Sequence, residues 1–274
     1  MADVRIVIGT SNDHKVREIS QILSAIPAIS LVPFSDYEPI PEIDEDGATF
    51  SENAGKKAHL LAQYLYARRG ASRSGRHTAV TNYDEDGEET DMLENLAAER
   101  AREQAEDMLG LNRQGTQGSR RLFGSESQRI KPADILVLAD DSGLEVDMLG
   151  GAPGVHSARY AGEHGNDTAN TRKLLSELKD VPEEKRTARF VCSIALATQK
   201  EVLLTVEGKV EGLIVSQPKG ENGFGYDPVF YFPPYGQTFG ETSAEGKNAV
   251  SHRANALKMF KSRLMRLLTD EGLA

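Results

Sequence analysis

Five consecutive apolar residues, Ile135-Leu136-Val137-Leu138-Ala139, run without a break into Asp140-Asp141-Ser142-Gly143. A short apolar run of this length reads as a strand. The two acids after it stand where open α/β sheets gather their ligands, just past a strand's carboxyl end. Paired carboxylates there suit Mg²⁺, which takes one or two carboxylates together with phosphate oxygens and water. A water held by the metal or by a carboxylate could then attack phosphorus. The same four residues would also serve as a solvated turn, because Asp, Ser and Gly are turn formers.

The flanking sequence supplies the partners such a strand needs. Residues 4–9 read as a short buried strand, and residues 15–26 as a helix with Val16, Ile19, Ile22, Leu23 and Ile26 at helical spacing. A second strand is expected near residues 29–32. Thr49 and Glu52 have capping-box spacing, and Ala54, Ala58, Leu61 and Leu65 continue a helical stripe. Residues 146–149 could form another short strand, and Asp167 could cap a helix running through Leu178. Residues 188–198 and 202–215 carry strong β patterns, with Gly208 and Gly212 marking bends. A short strand at 229–232 follows. Ser251 could cap a last helix with the stripe Ala254, Leu257, Phe260, Leu264 and Leu267. Mixed strands and helices place the chain in the α/β class, with a long mixed sheet as its spine.

Residues 68–131 depart from this pattern, being rich in Arg, Ser, Gly, Glu and Gln. The tracts 70–76 and 115–121 are expected to be disordered. Between them, residues 88–109 read as a possible helix, with Met92, Leu93, Leu96, Met108 and Leu109 as its few large apolar residues. The stretch reads as an insertion into a single domain made of residues 1–67 and 132–274, since structureless loops this long are uncommon inside compact domains.

Composition removes several function classes. A net charge of −10 with no basic stripe argues against nucleic acid as a partner. The single cysteine, Cys192, excludes an internal disulfide framework or a CxxC metal site, and its apolar surroundings make it a packing residue. The amino terminus lacks a signal peptide's basic region, and no apolar stretch reaches membrane-spanning length, so a cytoplasmic protein with no membrane partner is expected. The histidines show no zinc spacing, and no G-x-S-x-G elbow is present.

Four further segments carry possible chemistry. Thr10-Ser11-Asn12-Asp13-His14, with Lys15 behind it, joins a strand to a helix start, where backbone N–H groups and the helix dipole favour an anion. It is not a Walker A loop, and an ordinary turn capped by Ser11 or Asn12 has the same composition. The acidic loop Glu42, Asp44, Glu45, Asp46 could complete a metal site or simply be solvated. In Gly223-Phe224-Gly225-Tyr226-Asp227-Pro228 the glycines permit close backbone approach and the aromatics could stack on a base or pack in the core. Lys247 with Ser251-His252-Arg253 offers cations and backbone donors at a helix start.

Taken together and in this order, these segments resemble the inosine/xanthosine triphosphate pyrophosphatase family, also called Ham1-like. The matching pieces are Thr10 to Lys15, Thr49-Phe50-Ser51-Glu52-Asn53-Ala54, residues 139–144 with Gly150-Gly151-Ala152-Pro153-Gly154 and Ser157-Ala158-Arg159-Tyr160, then Gly223 to Pro228, and Lys247 with Ser251-His252-Arg253. The resemblance implies an elongated mixed β-sheet flanked by helices, in two lobes with a central nucleotide cleft. It also implies a homodimer, Mg²⁺, and hydrolysis of ITP, dITP and XTP to the nucleoside monophosphate and pyrophosphate, clearing deaminated purines from the nucleotide pool. Carried over position by position, Thr10, Ser11, Asn12, Asp13, His14 and Lys15 form the triphosphate cradle. Asp141 is the proton acceptor and a metal ligand, with Asp140 assisting. Ser142 contacts substrate. Asp44 is the second metal ligand, with Glu45 beside it as the alternative. Phe224, Gly225, Tyr226 and Asp227 form the base loop. Lys247, His252 and Arg253 supply the remaining nucleotide contacts, Arg253 offering donors to a 6-oxo group. The insertion departs from the family, whose members pass to the Asp-bearing strand through a short loop. A pyrophosphatase for another modified nucleotide, and a nucleotide-binding regulator without turnover, are the rival readings; pyrophosphate release separates them.

Overall fold

The computed structural model describes residues 4–10, 12–24, 26, 29–37, 41, 43–73, 82–83, 89–90, 130 and 134–271. In chain order the elements are β1 (Val4–Ile8), α1 (Asp13–Leu23), β2 (Ile29–Pro33), α2 (Phe50–Arg73), β3 (Asn82–Tyr83), β4 (Glu89–Thr90), β5 (Leu136–Val146), α3 (Asp167–Glu177), β6 (Thr187–Ala197), β7 (Val202–Ile214), β8 (Phe230–Phe232), β9 (Gln237–Thr238), α4 (Ala244–Val250) and α5 (His252–Asp270). Seven strands make one mixed sheet in the order β2-β1-β5-β6-β7-β8-β9. The pairs β2–β1 and β1–β5 are parallel, and every later pair is antiparallel. Strands β3 and β4 form a separate antiparallel pair.

Two large apolar clusters and two smaller ones lie along this spine among the described residues. In one large cluster, α1 and α5 cover one sheet face, packing Ile19, Leu23, Leu257, Phe260 and Leu264 against Ile6, Leu138, Ile194 and Val206. The other large one surrounds the far ends of the long strands, where Leu174 and Leu178 meet Leu144, Phe190, Val210 and Phe230. Helix α2 covers the opposite face of the first half through an alanine contact, Ala54 and Ala58 against Ala139, Ala195 and Ala197. Methyl-sized side chains at such a contact let the helix approach the sheet closely, which matters for the residues beside them.

Several expected boundaries move. The acidic pair does not follow the end of its strand: β5 continues through Asp140, Asp141, Ser142 and Gly143 to Val146, paired residue by residue with β6. Residues 147–149 form a 3-10 turn instead of a strand. Strand β7 passes unbroken through Gly208 and Gly212. Those glycines mark close approach: a Cβ on Gly208 would lie 2.2 Å from the Ala256 nitrogen, and one on Gly212 would lie 2.5 Å from the Tyr231 carbonyl oxygen. Helix α2 reaches Arg73, beyond the residue-68 boundary expected for the insertion, and Glu89–Thr90 is a strand at the start of the helix expected over 88–109. The rest of that helix and the tract 115–121 lie outside the described residues, as do Ser11 and Glu42. Among the described residues no helix is long and apolar enough to cross a membrane.

Candidate active site

Strand β1 pairs with β5 only along Leu136–Leu138. It stops where the Gly9 N–H donates to the Leu138 carbonyl at 2.6 Å. Beyond that point the Ser157 hydroxyl accepts the Leu144 N–H and the Ala152 carbonyl accepts the Val146 N–H. Neighbouring residues of a strand face opposite ways, so Asp140 and Asp141 work on different sides of the sheet.

Asp141 faces α2. Asn53 Nδ2 donates to its Oδ2 at 2.9 Å, and the Ser142 N–H donates to its Oδ1 at 2.8 Å. Burial, and then the charge of Glu45, push its carboxyl up to about 6. Glu45 is held by Lys57 Nζ at 2.7 Å, and its carbonyl accepts from Arg159 Nη2 at 2.9 Å. The acidic loop is further fixed to α2 by Asn53, which accepts the Gly47 N–H at 2.7 Å, and by Glu52, which accepts the Ala48 N–H at 2.8 Å. Burial opposes the charge of Lys57, yet the combined pull of Glu45, Asp140 and Asp141 raises its pKa. A cleft of about 750 Å³ opens beside this group, lined by Thr10, Asp44, Glu45, Lys57 and Arg159 among others.

These residues fit a divalent cation. The repulsion that helps raise Asp141 comes from Glu45, and a dication between two carboxylates relieves it. Among the described residues no cluster of three His, Cys, Asp or Glu side chains forms a cage. An octahedral ion would therefore take its other ligands from water and phosphate oxygens, as Mg²⁺ commonly does. Asp44, expected from the sequence as the second ligand, is exposed on the same loop, whereas the carboxylate whose charge reaches Asp141 is Glu45.

Asp140 faces the other way and is fully buried at 0% exposure. Its Oδ2 takes Lys15 Nζ at 3.1 Å and Arg253 Nη2 at 3.2 Å. Burial opposes its ionisation, but Lys15, Arg253 and Lys57 together hold it far below the usual carboxylate range. Arg253 also donates from Nη1 to Glu18 at 2.6 Å and from Nη2 to Ser142 Oγ at 3.1 Å. All three guanidinium nitrogens thus have protein acceptors, Nε meeting Asp140 at 3.3 Å. The fork expected to read a base braces α1, β5 and α5 against one another. Ahead of Lys15, Asn12 caps α1 by accepting the Lys15 N–H at 3.3 Å, and Thr10 Oγ1 accepts the Asn12 N–H at 3.2 Å. The side chains of Asp13 and His14 lie outside the described set, although both residues open α1.

The second loop turns sharply at Gly223, whose φ of +77° and proximity to Asp227 exclude a side chain. Asp227 Oδ2 accepts the Phe224 N–H at 2.9 Å and takes Lys247 Nζ at 2.5 Å. Lys247 Nζ also lies 4.6 Å from the centroid of the Phe224 ring. Gly225, at φ +62°, donates its N–H to Asp167 at 2.6 Å. Tyr226 is a packing residue, with its hydroxyl donating to the Ser157 carbonyl at 2.9 Å. His252 stacks on Phe190 at 4.9 Å between centroids. Burial, then Arg253 and Lys247, lower its pKa well below the ordinary imidazole value, so it is neutral at pH 7.

Three contributors escaped the sequence reading: Asn53, Lys57 and Glu18. Each had a local signal. Asn53 and Lys57 are four apart on a helix face whose neighbours are alanines, and Glu18 follows Lys15 by three on α1.

The chain is similar to known proteins in sequence and in fold. The sequence matches the profile of the Ham1 family over residues 6–74 and 75–263. It is 36% identical to a dITP/XTP pyrophosphatase of Clostridium perfringens over 264 residues, covering 96% of this chain and 98% of the relative. It is 39% identical to a dITP/XTP pyrophosphatase of Shouchella clausii, covering 93% and 94%. Among solved structures, a HAM1 protein from Coxiella burnetii superposes with a TM-score of 0.66 at 29% identity, covering 96% of this chain and 99% of that one. A nucleoside-triphosphatase, dITP/XTP pyrophosphatase from Mycobacterium abscessus superposes at 0.56 with 32% identity, covering 94% and 97%.

Proposed function

The chain belongs to the Ham1 family, and from that premise we propose that it hydrolyses dITP, XTP and ITP to the nucleoside monophosphate and pyrophosphate. The observation that carries the reading is a pair of carboxylates: burial and the charge of Glu45 push Asp141 up to about 6, and Glu45 lines a cleft together with Thr10 and Lys57.

Thr10, Asn12 and Lys15 receive the triphosphate at the start of α1, where N–H groups and the helix dipole favour anionic oxygens. Lys57, which also lines the cleft, adds a second cation. Asp141 and Glu45 would hold a divalent cation, Mg²⁺ in this reading, which when bound would neutralise phosphate charge and acidify water. Asp141 accepts a proton from the water that attacks the α-phosphorus. The α-phosphorus–oxygen bond breaks, and the electron pair leaves with pyrophosphate. Asp140 stays ionised behind the site, keeping Lys15 and Arg253 in place. At the other end Phe224 offers a ring for the base. The Lys247–Asp227 pair lies beside that ring and supplies a donor and an acceptor for the base edge. A cytoplasmic homodimer completes the reading.

The test is pyrophosphate release from dITP, XTP, ITP, dGTP and ATP, with and without Mg²⁺. Turnover of the first three that depends on the metal and exceeds ATP turnover by at least ~10²-fold is expected. Equal turnover of ATP and ITP would sink the specificity, and binding without release would sink the enzyme.

A further inference from the structure

Asn53 is 1% exposed, and both ends of its amide are engaged. Oδ1 accepts the Gly47 N–H at 2.7 Å, and Nδ2 donates to Asp141 Oδ2 at 2.9 Å. The side chain thereby joins the acidic loop to β5, two segments far apart in sequence. An amide suits this position because it can accept an N–H and donate to a carboxylate at once, which an ionised Asp cannot. The loop is shaped around it: a Cβ on Gly47 would lie 2.6 Å from Asn53 Oδ1. One helical turn further, Lys57 ties the Glu45 carboxylate at 2.7 Å. The i and i+4 positions of one helix face therefore govern both carboxylates. The alanine contact beneath them lets that face come near β5.

We propose that Asn53 is a positioning residue for the cation site: by bridging the Gly47 N–H and the Asp141 carboxylate, it fixes how Asp141 faces Glu45 and so sets the site's affinity for a divalent cation. This rests on the reading of Asp141 and Glu45 as the cation-holding pair. Hydrogen bonds that orient a metal's ligands are commonly worth 10–100-fold in affinity, roughly, when removed.

The experiment titrates Mn²⁺ alone into the nucleotide-free protein, followed by electron paramagnetic resonance, for the wild type, Asn53→Ala and Gly47→Ala. Gly47→Ala displaces the bridge from a half-buried loop while leaving Asn53 intact, so it reports even if the cavity left by Asn53→Ala prevents folding. Both variants are expected to raise the Mn²⁺ dissociation constant at least ~10-fold and to speed amide exchange across residues 43–48. Half-saturating Mg²⁺ in turnover should rise in step, while KM for dITP at saturating Mg²⁺ stays within about twofold. Mn²⁺ affinity within about twofold of wild type in a folded variant overturns the proposal, as does a wild type that turns over dITP but binds no Mn²⁺. Weakened Mn²⁺ binding in the variants of a protein that releases no pyrophosphate supports the positioning role and removes only the assigned reaction.

Discussion

At the residue scale the acidic pair divides into two unlike groups because a strand points alternate side chains to opposite faces. Asp140 is surrounded by Lys15 and Arg253, and its charge is permanent. Asp141 is buried beside Glu45, and its charge is conditional. An isosteric Asp141→Asn substitution removes the proton acceptor without a cavity, and kcat should fall at least ~10²-fold if the group is a general base; steady-state pyrophosphate release measures it, and near-wild-type kcat removes the role. His252 gives a prediction of another kind. It is 5% exposed, its Nδ1 is buried with no hydrogen-bond partner among the described residues, and Arg253, Lys247 and Lys15 outweigh Asp140 around it. The folded imidazole therefore resists a proton that the unfolded chain takes up near pH ~6.5. With the folded pKa lowered, the unfolded state binds more protons as pH falls through that value, so stability declines towards acid. Between pH 7.5 and 5.5, His252→Gln should lose up to about 1.4 kcal/mol less than wild type in urea-unfolding free energy. Equal losses in the two proteins would show that the imidazole is protonated in the fold.

At the element scale, glycines and alanines set the spacings on which the site depends. Gly208 lies under the start of α5, where a Cβ would meet the Ala256 nitrogen at 2.2 Å and the His252 carbonyl oxygen at 2.4 Å, both backbone atoms that cannot rotate away. Gly208→Ala should lift α5 from β7 at a cost of roughly 1–3 kcal/mol or more, in line with other overpacked cores. Because α5 begins with His252 and Arg253, KM should rise along with the fall in melting temperature. An unchanged melting temperature would mean that the helix sits further out than these distances say. This contact also shows where sequence reading stops. The stripe Leu257, Phe260, Leu264 and the cap at Ser251 were legible because helical period and capping chemistry are local, and the Ala254 N–H does donate to Ser251 Oγ at 3.1 Å. The role of Gly208 was not, because nothing near it in the chain announces that a helix some forty-five residues later will lie against it; a bend was the local reading. The same holds for β5: Asp, Asp, Ser and Gly are turn formers by composition, and only pairing with β6 makes them strand.

At the scale of the whole molecule, the site is drawn from segments that the sequence separates widely: the β1–α1 turn, the acidic loop with α2, the middle of β5, the loop around Gly223 and the start of α5. Their motifs could be read one by one, and their order gave the family. Lys57, Glu18 and Asn53 could not be assigned that way, since Glu18 and Asn53 act through partners far away in the chain and Lys57 through the loop that precedes its helix. The groups placed around the cleft all lie within residues 10–57 and 140–253. The chain on either side of residues 74–129 is anchored, with α2 continuing to Arg73 and Ile130 packed against the core of α1, α5 and the sheet. We therefore expect a variant in which residues 76–128 are replaced by a flexible Gly/Ser linker of about 20 residues to fold and to keep kcat/KM for dITP within about threefold of wild type. If these residues only join the two anchored ends, changing the length between them alters the closure entropy only slowly, by about 0.6 kcal/mol per doubling, and the melting temperature should barely move. A large loss of kcat/KM with an unchanged melting temperature would instead give the inserted segment a part in the cleft. A loss of both would make it part of the fold.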